Sequence, residues 1–426
     1  MPDEGDRPGE RDPPPWLVRR FLTVRFSSAT AWQMQAVAVG WYVYALTDSA
    51  FDLGLIGLVQ FVPFAGLALI AGHAVDRFPR RNIVMSALAV ESLCSLALGL
   101  LALSGAGSAG AVFSIIAFYG AARAFDQPAM QSWLPALVAA RLFPRSAAQN
   151  SLTSQSAVIL GPALGGLLYL LGPAVPFLCA ALLQGGALAL ASGLPAQRRA
   201  VTEPLSWHTI LGGVRFIWHT DTVRGAISLD LFCVLFGGAT ALMPIFARDI
   251  LSVGPAGLGL LRSAPALGAL VTGLMLTRRP PQRHVGRRMM IAVAIYGAAT
   301  LVFGLSTNLV LSLAALAILG AADMLSVVIR STLVQVVAPD AIRGRVTAVN
   351  SLFTGTSNQL GQFESGVTAA WFGPVGSVVL GGAATLLIVA LWTRRFPALS
   401  RMDRLVMAED AVDRPREPVS GSPDPF

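Results

Sequence analysis

Several ionisable side chains lie inside long apolar stretches, where a charge finds no solvent: Arg123 and Asp126, Asp230, Asp323 and Arg330, and Glu364. A charge in hydrocarbon is expensive, so residues that bear that cost are read as functional. Arg123 and Asp126 stand three apart on one helix face and can pair. Arg330 follows Asp323 by two helical turns along the same face. A carboxylate that moves between a dry surrounding and one holding an arginine can take up and release a proton. Asp323 is the leading carrier on this reading. Gln35 and Gln60 offer neutral hydrogen bonds to a substrate and Trp32 a stacking surface. Trp41 to Tyr44, close to the end of the same stretch, read as interfacial anchors.

Other chemistries find no support. His73, His208, His219 and His284 show no ligand spacing, and Cys94, Cys179 and Cys233 each fall in an apolar run as small buried hydrophobes. There is no Walker motif, so ATP does not drive this chain directly. No cofactor, metal or enzymatic activity is expected.

The elements that hold these residues are set by composition. The chain of 426 residues is 54% hydrophobic and only 13% charged, with mean hydropathy +0.64. Soluble domains carry about 25% charged residues, so this surface must face lipid. The net charge of +8 sits in short loops rather than on one basic domain, which speaks against nucleic acid. Reading for runs of roughly 20 apolar residues gives about twelve transmembrane helices. Six spans are expected near 22–46, 53–75, 82–104, 109–134, 147–171 and 174–194. The second six follow near 222–246, 256–277, 288–305, 309–335, 345–369 and 374–395. Spans 4 and 10 contain charges that a strict hydropathy window would reject.

Arginine placement orients the spans. With the N-terminus cytoplasmic, nearly every arginine falls on the cytoplasmic side; Arg248 is the exception in an outer loop, and Arg25, Arg123, Arg262 and Arg330 lie within spans. Both termini are therefore expected inside. The polar segment 1–20 and the tail 397–426 flank two bundles at 21–195 and 222–396, the N-terminal segment and the end of the tail expected to be disordered. The connection 196–221 carries an amphipathic stretch, Leu205 to Trp218, expected to lie on the membrane surface.

The two bundles repeat one another at an offset near 200. Arg145, Ala148, Asn150, Ser151 and Leu152 recur as Arg345, Ala348, Asn350, Ser351 and Leu352; Gly161 and Gly166 recur as Gly361 and Gly366. Gly57, Leu58, Pro63 and Gly66 recur as Gly259, Leu260, Pro265 and Gly268. An all-α membrane fold of two pseudo-symmetric halves follows, with a substrate site at their interface near mid-membrane.

Two motifs bear on movement. Gly72, Asp76, Arg77, Arg80 and Arg81 stand between spans 2 and 3, where a glycine allows close approach and an aspartate at a helix end can pair with an arginine or a helix N-terminus. This spacing reads as a gate. Gly161, Pro162, Gly165 and Gly166 in span 5 join a helix-distorting proline to glycines suited to tight packing.

The first motif resembles the signature loop of the major facilitator superfamily, Gly-x-x-x-Asp-Arg-x-Gly-Arg-Arg, with Pro79 where glycine is usual. The resemblance implies a cytoplasmic latch between halves that stabilises the outward-facing state. The equivalent loop of the second half, Thr277 to Arg288, has no acidic residue, so the latch is asymmetric. Span 5 resembles the Gly-Pro-x-x-Gly-Gly element of drug–proton antiporters. The superfamily's Arg-x-x-Gln-Gly, linked to proton transfer, is matched at Arg123, with Asp126 in place of the glutamine. Glu91 ranks low, because span 3 is peripheral in that family. The segment Ala36 to Tyr44, Asp126 to Ala129 and Arg343 to Asn350 are similar to the branch holding enterobactin exporters and macrolide efflux proteins. The resemblance, over residues 17 to 405, implies a monomeric multi-pass protein of a bacterial inner membrane. It would export a small organic molecule, a drug or siderophore, in exchange for protons. An uptake symporter, a lysophospholipid flippase and a non-transporting sensor are the alternatives; the buried charges argue against the sensor.

Overall fold

The computed structural model describes residues 14–196, 214–237, 239–279 and 283–403. Its regular elements are helices. α1 (Pro15–Thr47) starts on a proline, which at a first helical position gives up no hydrogen bond because that N–H would lack an intrahelical partner. The helix therefore begins inside the segment expected to be disordered, and Leu17 and Phe21 share a buried cluster with Trp133 and Leu194. α2 (Ala50–Arg77), α3 (Arg80–Ser104), α4 (Ala109–Leu137), α5 (Phe143–Tyr169) and α6 (Val175–Ser192) complete the first half. Short polar residues fix two of the starts: Ser49 Oγ accepts from Asp52 N at 3.2 Å, and Ser108 Oγ from Ala111 N at 3.3 Å.

The second half opens with α7 (Asp221–Phe236), which continues through a tight turn at Ala239–Leu242 and the short helix Met243–Ile245 into a widened π turn at Phe246–Ile250. α8 (Gly254–Arg278), α9 (Val285–Leu305), α10 (Leu309–Val337), α11 (Asp340–Arg395) and the short α12 (Pro397–Ser400) follow. α11 bends at Gly373, whose φ of 74° suits glycine, with Pro374 next. This is where the sequence separated spans 345–369 and 374–395. The start of the expected tail is packed: Leu399 is buried beside Val285 and Met289, and Gly286 N donates to Met402 O at 3.0 Å. Of the expected surface helix, residues 214–219 are helical with Ile217 buried, while Leu205 to Leu211 lie outside the described residues.

Nine stretches among the described residues are long and apolar enough to cross a membrane. α4 is not among them, as its charges led us to expect. α10 is, because its leucines, isoleucines and valines outweigh Asp323 and Arg330. α1 also falls short, diluted by Arg19, Arg20, Arg25, Gln33 and Gln35. Both are nonetheless built into the bundle, α1 against α5 and α6, α4 against α2 and α3.

The second half packs in the same pattern, α10 with α8 and α9, and α11 with α9 and α7. The halves meet along two seams, α5 with α8 and α2 with α11. One apolar cluster draws on both halves: Val37, Tyr44 and Leu53 join Phe246, Leu258, Leu261, Phe303 and Ala369. It lies at the end where α1 finishes at Asp48. The clusters at the opposite end, around Phe21 and Val75 in one half and Val223 and Val346 in the other, each stay within a half.

Candidate functional site: a cavity between the two halves

The seams are made by the repeated glycines. Gly165 of α5 faces α1, where an added Cβ would sit 2.6 Å from Met34 O; Gly161 faces the same helix at Thr30 and Gln33. Gly166 turns to α8, 3.0 Å from the Gly259 Cα by the same measure. Their counterparts do likewise: Gly361 faces α7 at Val234 O, 2.7 Å, and Gly366 faces α2 at the Gly54 Cα, 2.6 Å. The tight packing expected of Gly161, Pro162, Gly165 and Gly166 is thus half within a bundle and half between bundles. The sequence offset appears as a structural equivalence of α5 with the first arm of α11.

Between the seams lie two adjoining chambers, both lined by Asn358. One, about 260 Å³, is lined by Trp32, Gln60, Phe61, Phe64 and Arg123 from the first half and by Thr356 and Gln359 of α11. The other, about 350 Å³, is lined by Gln155 of α5 and by Thr240, Met243, Arg262, Tyr296 and Asp323 of the second half. An aromatic wall with a few convergent polar groups is the usual make-up of a small-molecule site. Gln60, Arg123 and Asp323 therefore line the cavity as a substrate-contacting set would. Gln35 does not line it. Gln35 is buried, and Ser95 Oγ donates to its Oε1 at 2.5 Å.

Behind the first wall is a buried polar cluster that sequence reasoning assembled only in part. Arg123 and Asp126 pair as their spacing suggested, at 3.4 Å. Arg123 also lies over the Trp32 ring, 4.7 Å from its centroid, and the far face of Trp32 stacks on Tyr119 at 5.5 Å. Tyr119 Oη is 3.5 Å from Glu91 Oε2. Arg25 Nε donates to Ser154 Oγ of α5 at 3.3 Å and acts electrostatically on Asp126. Glu91, ranked low because of its helix, is wholly buried at the centre of this cluster. α3 is apolar all round, so its inward face could not be read from periodicity.

The second half departs from the expected pairing. Arg330 does not serve Asp323 but makes a buried ion pair with Asp230, which α7 brings to it from the neighbouring helix. Removing either partner leaves an uncompensated buried charge, which costs about 3–5 kcal/mol. Asp323 is left facing the cavity with no ion pair among the described residues. Arg262, noted in the sequence only as lying in a span, lines the same chamber and reaches Gly40 of α1. Glu364 is half-buried on α11 and lines neither chamber; its carbonyl accepts from Thr368 Oγ1 at 3.0 Å.

The cavity is sealed at the Asp48 end. Arg248 Nη1 donates to Asp48 Oδ1 at 2.7 Å and the Arg248 guanidinium lies over the Tyr44 ring at 5.1 Å. Tyr44 Oη donates to Asp249 Oδ2. Tyr44 is therefore a clasp between halves, where the sequence suggested a membrane anchor. At the other end the Gly72–Arg81 motif makes contacts inside its own half: Arg81 Nη1 donates to Leu194 O at 3.3 Å. Asp76 has no ion pair among the described residues, and Gly72 has no neighbouring helix within 4 Å.

Two equivalent helical halves around a central cavity, closed at one end, are the architecture of a secondary transporter. The chain belongs to the transmembrane secretion effector family of the major facilitator superfamily, whose family description matches residues 17–420. It is 26% identical over 378 residues to the enterobactin exporter EntS of Shigella boydii serotype 18, covering 88% of this chain and 90% of that one. EntS of Escherichia coli O1:K1 matches to the same extent. Among solved structures, an inward-facing, occupied bacterial homolog of the human lysosomal transporter Spinster superposes with a TM-score of 0.71 at 14% identity, over 93% of this chain and 99% of that one. A bacterial homologue of the iron transporter ferroportin, also inward-facing, gives 0.70 at 15% identity, over 91% and 99%. These structures share the fold. The protein is a multi-pass membrane transporter rather than an enzyme, and its family and relatives support efflux.

Proposed function

We propose that the protein exports a small organic compound with aromatic or apolar groups across the cytoplasmic membrane, in exchange for protons. The observation that carries this reading is the chamber lined by Trp32, Phe61 and Phe64 beside Arg123 and Gln60. Aromatic faces take up flat rings, and the amide and guanidinium fix their polar edges. Asp323 and Arg262 supply one charge of each sign across the cavity, which suits a compound with several polar substituents. A siderophore such as enterobactin, which the relatives are named for exporting, fits this description and is the first probe to use.

The arginine-rich end bearing Arg77, Arg80 and Arg81 faces the cytoplasm in this reading, and the Asp48 end faces outward. The sealed Asp48 end then corresponds to a carrier ready to load from inside. The Gly72–Arg81 latch, separated from the other half in this state, engages when the cytoplasmic end closes. The test is retention of enterobactin in cells with and without the protein, with and without an uncoupler. Loss of the protein should raise retention, and the uncoupler should erase the difference. A difference that survives the uncoupler refutes proton exchange.

A further inference from the structure

The hydrogen bonds around Glu91 follow one another in a fixed direction. The Gln184 amide of α6 is satisfied in a single orientation, its nitrogen donating to Ser95 Oγ at 2.7 Å and its oxygen accepting from Tyr119 Oη at 2.7 Å. Ser95 Oγ in turn donates to Gln35 Oε1. The one proton of the Tyr119 hydroxyl is thereby committed to Gln184. Towards Glu91, 3.5 Å away, Tyr119 can only accept. The other carboxyl oxygen, Glu91 Oε1, is buried with no donor among the described residues. A carboxylate is an acceptor only and needs donors when buried. This site supplies an acceptor.

We infer that Glu91 is the proton-binding site of the transporter, and that Arg123 links it to the substrate cavity. This deepens the proton-exchange reading above and rests on it for its role in transport. With its proton on, Glu91 donates to Tyr119 Oη and Arg123 stays over the Trp32 ring. When a substrate ring stacks on the cavity face of Trp32, it takes the place of the guanidinium. Arg123 is pushed back towards the acids of the cluster, Asp126 and Glu91. Glu91 then gives its proton to cavity water and keeps the bonding pair as a carboxylate. The Tyr119 O–H turns from Gln184 to donate to that carboxylate, and Arg123 offsets its charge. Substrate arrival and proton release are thus two outcomes of one displacement, which is what exchange in opposite directions requires. The charged and titratable groups that bear on Glu91 are Tyr119, Arg123 and Asp126 of α4 and Cys94 of its own helix, with Arg25 of α1 acting through Asp126; α6 presents the neutral Gln184.

The direct test needs no substrate. Infrared spectra of the purified full-length protein in lipid, recorded across pH, should show the C=O stretch of a protonated carboxylic acid that disappears as pH rises. E91Q should lose that band, D126N and D323N should keep it, and Y119F should shift its frequency, because the hydroxyl that accepts from it is gone. A band that persists in E91Q overturns the assignment. The second arm is uptake of enterobactin into inverted membrane vesicles, driven by a pH gradient or by exchange at equal pH. E91Q should lose the response to the gradient and keep exchange; glutamine is isosteric, so a merely structural Glu91 would leave the response intact. Gradient-driven uptake that persists in E91Q overturns the assignment alone. A wild-type protein indifferent to the gradient overturns proton exchange itself, and with it the transport role of Glu91, while the infrared band still reports on the site.

Discussion

The clasp at the Asp48 end allows a quantitative comparison between two contacts that look alike. Asp48 and Arg248 are bonded at 2.7 Å, but their side chains are 69% and 39% exposed. Water and ions compete for both, and such pairs contribute about 0.2–1 kcal/mol. Tyr44 is 93% buried, and its hydroxyl donates to the carboxylate of Asp249. A hydrogen bond to a charged group in such a place contributes about 1.5–3 kcal/mol. Y44F should therefore shift the balance away from the sealed state by roughly 10- to 150-fold, and D48N by no more than about fivefold. The shift can be read by pulsed electron paramagnetic resonance, with spin labels on L46C and S252C in a protein whose free cysteines, Cys94, Cys179 and Cys233, have been replaced. Y44F should move most of the distance distribution to longer values. D48N should change its weights only slightly, and less at high salt. If D48N opens the end as far as Y44F, burial does not govern the clasp and the reasoning fails.

Other outcomes follow from the same structure. D230N should strand Arg330 and lower thermal stability by about 3–5 kcal/mol, whereas D230L with R330L should recover most of it; equal melting of D230N and the double variant would show that the buried pair is not what is lost. G166L or G366L should abolish transport and open the Asp48 end in the labelled protein, since added atoms would meet the backbone at Gly259 and Gly54; full transport by either would remove the seams from the mechanism. D323N should raise the apparent KM for enterobactin while leaving the response to a pH gradient in place, and an unchanged KM would take Asp323 out of the substrate site. D76N should slow the transport cycle by weakening the state in which the cytoplasmic latch is engaged, and should leave the sealed Asp48 end as it is here.

What the sequence disclosed and what it concealed divide along a physical line. The repeated glycines were legible because close approach leaves a mark on composition, and the structure puts Gly161, Gly166, Gly361 and Gly366 at equivalent contacts. The break between the last two spans was legible in Gly373 and Pro374. Arg123 and Asp126 were legible because a three-residue spacing is a local fact about one helix. The same logic applied to Asp323 and Arg330 misled, because a second helix intervenes: α7 presents Asp230, and the nearer carboxylate takes the arginine. Glu91 and Tyr44 were misjudged for a related reason. Their importance comes from Tyr119 and Asp249, residues far along the chain, and no pattern within α3 or α1 points to those partners.

The glycine seams also bear on how readily the two halves can part. At Gly54 with Gly366 and Gly166 with Gly259, backbone lies on backbone and no side chain reaches into a hole on the facing helix. Interfaces built on interlocking side chains must unthread them to separate, with rotamers changing on both surfaces before any gap appears. Two smooth backbone surfaces need no such rearrangement. They part by rigid displacement, and each lost contact is a small dispersion term. Holding the seal then falls to the few polar bonds and aromatic side chains at its rim. A barrier of that kind is low and local, and the binding of one small molecule in the cavity is large enough to overcome it.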